Sequence, residues 1–176
     1  MKRTFISVVA LMLAVLTVFT FTACTSNEPT AQIPEGYKLF DNGAVSFAYP
    51  DDWSSSDNDG VAMLVNPSGA GNNITVASEV KSDLYKNMTT ESFATELKPT
   101  FESYGMTVSG ARVEQLTNKA GTALTKISFN TSMNGVSMTQ TMLIVPSGIK
   151  NYIVTVTETS SAPELVENAL DTLEAR

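Results

Sequence analysis

The chain contains no histidine. That removes the commonest general base near neutral pH and the commonest metal ligand, and it excludes serine–histidine and cysteine–histidine catalysis. There is one cysteine, Cys24, so no disulfide can close within the chain and no cysteine cluster can hold a metal. Positive charge is scarce: 11 Lys+Arg stand against 18 Asp+Glu, a formal charge of −7. Such a surface repels phosphate backbones and speaks against a nucleic-acid partner. Gly69 and Gly71 sit in a loop without the following helix and lysine of a phosphate-binding turn, so nucleotide binding has no support. Long apolar runs are absent with one exception, the uncharged stretch from about Phe5 to Phe21.

That exception lies behind Lys2 and Arg3 and ends in Thr22-Ala23-Cys24. Two cations, a greasy segment and small residues before a cut site make a secretory leader. Residues Phe21-Thr22-Ala23-Cys24 resemble a bacterial lipobox, with Phe21 in place of the usual aliphatic residue. The resemblance implies cleavage of residues 1–23 and a diacylglyceryl group on the Cys24 sulfur, with palmitate-like chains. Each methylene that enters the bilayer contributes about 0.8 kcal/mol, so two or more chains anchor stably. Three other readings of the stretch are an ordinary secretory leader, an uncut membrane helix near the length of a bilayer span, and a core helix. Loss of the leader takes Lys2 and Arg3 away and moves the formal charge from −7 to −9. An acidic domain of this kind repels anionic headgroups, so the covalent lipid and not a basic patch is expected to hold it to the membrane.

Residues 24–36 are polar, carry two prolines, and read as a lipidated cysteine and flexible tether. Residues 37–176 are expected to form one domain. Tyr37–Phe40 and Ala44–Tyr49 flank Asp41-Asn42-Gly43 and predict a hairpin ended by Pro50. Val61–Val65 and Ile74–Val80 are the next strands. Thr89 or Thr90 caps a helix to about Tyr104, which Pro99 should kink or split. Strands follow over about Ala111–Thr117, Thr122–Thr131, Gly135–Val145 and Tyr152–Thr157. Ser161-Ala162-Pro163-Glu164 predicts a capping box for a final helix with a stripe of Leu165, Val166, Ala169, Leu170 and Leu173. Runs such as Leu143-Ile144-Val145 are apolar on both strand faces and suit a sheet covered on both sides. The fold class is therefore α+β, an antiparallel β-sheet of about six to seven strands between helices on both faces.

The segment Val45-Ser46-Phe47-Ala48-Tyr49-Pro50-Asp51-Asp52-Trp53 resembles the entry to the Mog/PsbP-like fold, where an early strand ends in Tyr-Pro and a tryptophan follows. The resemblance implies an α/β/α sandwich whose members are mostly accessory proteins of larger complexes. The histidine-based metal binding of its photosystem members has no counterpart here.

Candidate chemistry is sparse. Trp53 with Tyr49 and Phe47 is expected to pack at the edge of the core, with an aromatic platform for a sugar or peptide as the lesser alternative. Asp51 and Asp52 are the best carboxylates for a hydrolase or a binding contact. Ser55 to Asn66 faintly resembles a calcium loop, but Ser55 and Asn66 stand where it needs acids, and turn residues explain the stretch. Glu164, Glu167, Asp171 and Glu174 read as a solvated helix face. Met138 and Met142 share a strand face that lines a groove or fills core. No cofactor and no metal is expected. The functional expectation is a membrane-tethered, non-enzymatic accessory or binding protein of the cell envelope, lipid-anchored on the extracytoplasmic side and engaging an envelope protein. The alternatives are a small-molecule-binding lipoprotein serving a transporter and a carboxylate-based hydrolase.

Overall fold

A computed structural model describes residues 31–69 and 71–176; residues 1–30, with the leader and Cys24, lie outside the described set. The first hairpin is β1 (Tyr37–Asp41) and β2 (Val45–Pro50), paired antiparallel. Its turn is closed by side chains: Asp41 accepts from Gly43 N at 2.8 Å, and Asn42 Oδ1 accepts from Ala44 N and Val45 N. Then come β3 (Ser54–Asn58), β4 (Val61–Val65) and β5 (Asn73–Val80), two short helices α1 (Thr90–Glu96) and α2 (Lys98–Ser103), and strands β6 (Thr107–Thr117), β7 (Ala123–Met133), β8 (Val136–Ser147) and β9 (Lys150–Glu158). The chain closes with α3 (Pro163–Thr172) and the two-residue strand β10 (Glu174–Ala175).

The main sheet has seven strands in the order β3-β4-β5-β9-β8-β7-β6, and every neighbouring pair is antiparallel. Strand alternation sends its apolar residues to two separate cores. Leu143, Val145, Val154, Val156, Leu64 and Ile74 face one side, where they meet Leu165, Ala169 and Leu173 of α3 and Val45, Phe47, Tyr49 and Trp53. Met142, Ile144, Ile153, Ile127 and Phe129 face the other, beneath Phe93, Leu97 and Phe101 of α1 and α2. Each such side chain, fully buried, contributes about 1.5–3 kcal/mol of transfer free energy. Helices thus cover both faces, as the two-sided apolar runs predict.

Three local expectations hold for the stated reasons. Pro99 divides the Thr90–Tyr104 pattern at Leu97, where α1 ends and α2 begins. Thr89 caps α1 reciprocally with Ser92, each hydroxyl accepting the other's backbone N–H. Asn134 (φ 52°) and Gly135 (φ 82°) turn β7 into β8 in the left-handed region that a two-residue hairpin requires.

Four details differ. The hairpin β1–β2 does not join the main sheet; with β10 it makes a three-stranded sheet of its own. The segment 54–58, read as part of a turn, is strand β3; its polar Ser/Asp/Asn residues carry no alternation because it is an exposed edge strand. The turn proper is Asp59-Gly60, both at positive φ, with Asp57 accepting from Gly60 N. Strand β6 starts at Thr107, four residues early, because Gly110 (φ 65°) lets a bulge between Ser109 and Arg112 carry the ladder on. Finally, the Ser161/Glu164 capping box does not form: Ala162 is the N-cap, without a side-chain cap, and its N–H donates instead to Glu158 Oε1 at 2.7 Å.

Candidate functional site

The residues singled out around Pro50 form a corner. Trp53 N donates to Pro50 O at 3.2 Å, and Asp51 N donates to Gly36 O at 3.0 Å. Lys38 on β1 holds the corner from outside: its Nζ donates to Asp51 O at 2.6 Å and Trp53 O at 2.8 Å, and lies 5.0 Å from the Tyr49 ring centroid. Tyr49 and Trp53 are each only 5% exposed and belong to the core under α3. The rings therefore pack in the core, as the favoured reading expects, and do not form an exposed platform, because the turn folds Trp53 back over the strand that carries Tyr49. Asp51 and Asp52 are exposed on the turn, and neither lines either concavity described below. Among the described residues, no hydrogen bond or ion pair joins either side chain to another group. Met142 is core, whereas Met138 lines a concavity. Cys24 lies outside the described residues.

Two concavities remain. One, of about 560 Å³, lies where the turn between β7 and β8 approaches the loop before α3. Hydroxyls dominate its wall, among them Ser109, Ser132, Ser137, Thr139 and Ser160, with Glu158 as its carboxylate. The other, of about 680 Å³, lies at the opposite end of the main sheet, where β5, the β6–β7 turn and the β8–β9 turn come together with segment 81–86. Leu116, Leu124, Ile144 and Pro146 supply apolar wall; Tyr85, Gln115, Thr125 and Asn151 supply hydrogen-bonding groups; Lys81, Lys86 and Asp83 stand at the rim.

The polar groups of this second concavity are locked together. Gln115 Nε2 donates to Tyr85 O (2.9 Å) and Met88 O (3.3 Å). Thr125 Oγ1 shares its one proton between Tyr85 O at 2.9 Å and Gln115 Oε1 at 2.8 Å. Asn151 Nδ2 donates to Ser82 O at 3.3 Å. Together these bonds fasten segment 82–88 onto the end of the sheet. Behind the wall, Glu79 on β5 lies beside the Tyr85 and Asn151 side chains, which favour its charged form. Burial raises the Glu79 carboxyl above its ordinary value, and those two side chains pull it back only in part. The Tyr85 phenol is pushed well above its ordinary range, first by burial and then by the Glu79 charge. Tyr85 therefore stays protonated beside Glu79. The arrangement is a wall of fixed polar groups, with Glu79 beside Tyr85 and Asn151 and Asp83 at the rim.

The sign of the Glu79 effect gives a prediction. A carboxyl with a raised folded pKa binds more protons in the native state, so its contribution is fully present below the unfolded pKa and is lost as pH rises through the folded one. Glu79→Gln is expected to gain stability relative to the native chain between pH 4.5 and pH 8, with the gain larger at the higher pH. Urea midpoints of both chains at the two pH values check it.

Sequence reasoning missed Lys38, Glu79, Tyr85, Gln115 and Asn151. They come from separate segments, and the one available signal was a carboxylate, Glu79, on the strand face that also bears Ala77.

No protein-family model matches the chain, and no curated protein does. Among solved structures, the chain is similar to the solution structure of cyanobacterial PsbP from Synechocystis sp. PCC 6803, with TM-score 0.60 and 11% identity over 86% of this chain and 98% of that one. It is also similar to a crystal structure from Bacteroides thetaiotaomicron VPI-5482, with TM-score 0.52 and 17% identity over 80% of this chain. It spans 48% of that protein's length. Likeness at these identities establishes a PsbP-like fold, the one implied by the Tyr49-Pro50…Trp53 segment.

Proposed function

We propose that this chain is a lipid-anchored, non-enzymatic accessory protein of the cell envelope, which binds through the concavity of about 680 Å³ at one end of its sheet. The observation that carries the binding role is the locked wall of Tyr85, Gln115, Thr125 and Asn151: donors and acceptors are held in place by bonds to segment 82–88, with apolar side chains beside them. Preorganised polar groups in an apolar hollow bind at low entropic cost. The leader and Cys24 support the envelope address, and the PsbP-like fold supports an accessory role. A second reading, a small-molecule-binding lipoprotein serving a transporter, is favoured by the volume, which falls within the range of about 300–1,000 Å³ common to small-ligand sites.

The anchor is tested directly. Intact-mass analysis of protein extracted from its own membranes should show loss of residues 1–23 and a gain of acyl mass on Cys24. Cys24→Ser should leave residues 1–23 attached and no acyl mass. A bare sulfur in native material would overturn the anchored reading.

A further inference from the structure

The two most exposed large apolar residues among those described are Ile149 (83%) and Val80 (73%). They are neighbours. Val80 pairs with Lys150 across β5 and β9, and Lys81 N donates to Ile149 O at 2.9 Å. Ile149 is at the tip of the two-residue turn Gly148-Ile149, since Ser147 pairs with Lys150. Gly148 (φ 57°) supplies the backbone this turn needs, but a β-branched aliphatic at the tip of such a turn goes against turn chemistry, which favours Asn, Asp, Ser or Gly.

Cations cluster at the same end. Lys98, Lys119, Lys126 and Arg176 are ion-paired with carboxylates. Among the described residues, Lys38, Lys81, Lys86, Arg112 and Lys150 have no ion pair; Lys38 is taken up by the Asp51 and Trp53 carbonyls, whereas Lys81, Lys86 and Lys150 share one end of the main sheet, where Lys150 reaches the Ser78 hydroxyl at 3.5 Å. Asp83 is the opposing charge on this rim. An acidic chain thus gathers three lysines without an ion pair near its most exposed aliphatic pair, with Asp83 and Glu79 as the carboxylates at this end.

The tether arrives here too. Ala31 N donates to Glu174 Oε1 at 2.9 Å; Glu174 begins β10, Arg176 N donates to Ala44 O, and the Arg176 carbonyl accepts from the Ser147 hydroxyl, next to Gly148-Ile149. Cys24 is seven residues before Ala31, and that length of chain spans at most about 25 Å.

From this juxtaposition we propose that the end of the domain bearing Val80, Ile149, Lys81, Lys86 and Lys150 docks on an anionic phospholipid surface. Ile149 and Val80 enter the headgroup layer while the three ammonium groups meet lipid phosphates. The proposal rests on the anchored reading for its setting, and it adds an orientation. The concavity of about 680 Å³, which shares Lys81 and Lys86, then opens at the membrane. The overall negative charge does not prevent this contact, because charges farther away than about 8 Å are screened at physiological ionic strength.

The test fixes the anchor chemically, so its result does not depend on whether cells acylate Cys24. Both cores draw on residues 40–175, so a chain starting at Cys24 keeps them whole. That chain is coupled through its sole thiol to maleimide lipid in vesicles of phosphatidylcholine, with or without phosphatidylglycerol. Lysine acylation is then followed residue by residue by mass spectrometry. Each lysine held at an anionic surface gains on the order of fivefold in affinity, so Lys81, Lys86 and Lys150 should react on the order of fivefold more slowly on the anionic vesicles. Lys98, on α2 over one face of the main sheet, serves as the internal reference. High salt, or Val80→Ser with Ile149→Asp, should restore the rates without changing the circular dichroism of the domain. Equal rates on both vesicles would overturn the proposal and leave this end to a protein partner. Protection that persists in the Val80/Ile149 variant would overturn the insertion of those side chains.

Discussion

Phe129→Ala is expected to destabilise the domain by about 4 kcal/mol, near the middle of the range for deleting a buried phenyl ring. Phe129 is 1% exposed and stands at the centre of an aromatic trio, with ring centroids 5.2 Å from Phe93 and 5.1 Å from Phe101. Those two rings belong to α1 and α2, which are seven and six residues long and would not hold as isolated helices. Their order depends on the surface that Phe129 and Ile127 present. Removal of the ring leaves a hollow that such short helices can only partly fill, and it loosens the helix pair from the sheet. Domains of this size are stable by about 5–15 kcal/mol in total, so the loss is a large fraction. Urea unfolding followed by circular dichroism should show the midpoint fall with little change in slope. Phe129→Leu, which keeps most of the volume, should cost about 1.5 kcal/mol. Similar midpoints for the Ala and Leu variants would refute the packing account.

Asn118→Ala should cost about 3 kcal/mol, the sum of three hydrogen bonds at roughly 1 kcal/mol each. Asn118 opens the β6–β7 turn, and its side chain joins three parts of the fold. Its Nδ2 donates to Leu170 O at 2.6 Å and Leu173 O at 2.7 Å, and its Oδ1 accepts from Thr122 N at 2.8 Å. The two carbonyls lie at the C-terminal end of α3, where Leu170 O otherwise accepts from Leu173 N at 3.4 Å. The basic side chain nearest this end, Lys119, is exposed and paired with Asp171 at 2.5 Å, so it cannot take over both carbonyls. Asn118→Asp sharpens the test. At neutral pH a carboxylate would face two carbonyl oxygens and the negative end of the helix dipole, and the loss should exceed that of Asn118→Ala. On acidification the protonated carboxyl can donate again, so the Asp variant should recover relative to Asn118→Ala as pH falls. Urea midpoints of the three chains at pH 7 and pH 4 read this directly, and parallel pH profiles would contradict it.

Much of the fold was legible because its signals are local. Two-sided apolar runs such as Leu143-Ile144-Val145 imply a covered sheet, Pro99 divides a helix wherever that helix packs, and Asn134-Gly135 turns a strand by its own backbone freedom. Strand β3 was hidden because an exposed edge strand need not alternate. The failed capping box shows the limit of local chemistry: Ser161 and Glu164 have the right spacing, yet Glu158, from the preceding strand, takes the Ala162 N–H. Trp53 and Tyr49 were visible as a motif, but whether they face solvent or core depends on Lys38 and α3.

By itself, the amino-acid sequence determined the class of the domain, its order of hairpins and helices, the loss of histidine and thiol chemistry, and the expected lipid address at Cys24. Those rest on residue identity and short-range periodicity. The tertiary structure alone decided the division into two sheets, the locked wall of Tyr85, Gln115, Thr125 and Asn151, and the meeting of Ile149, Val80 and three lysines beside the incoming tether. The physical reason is distance along the chain: Ala31 meets Glu174, Ser147 meets Arg176, and Lys81 meets Ile149 only when the strands between them have paired.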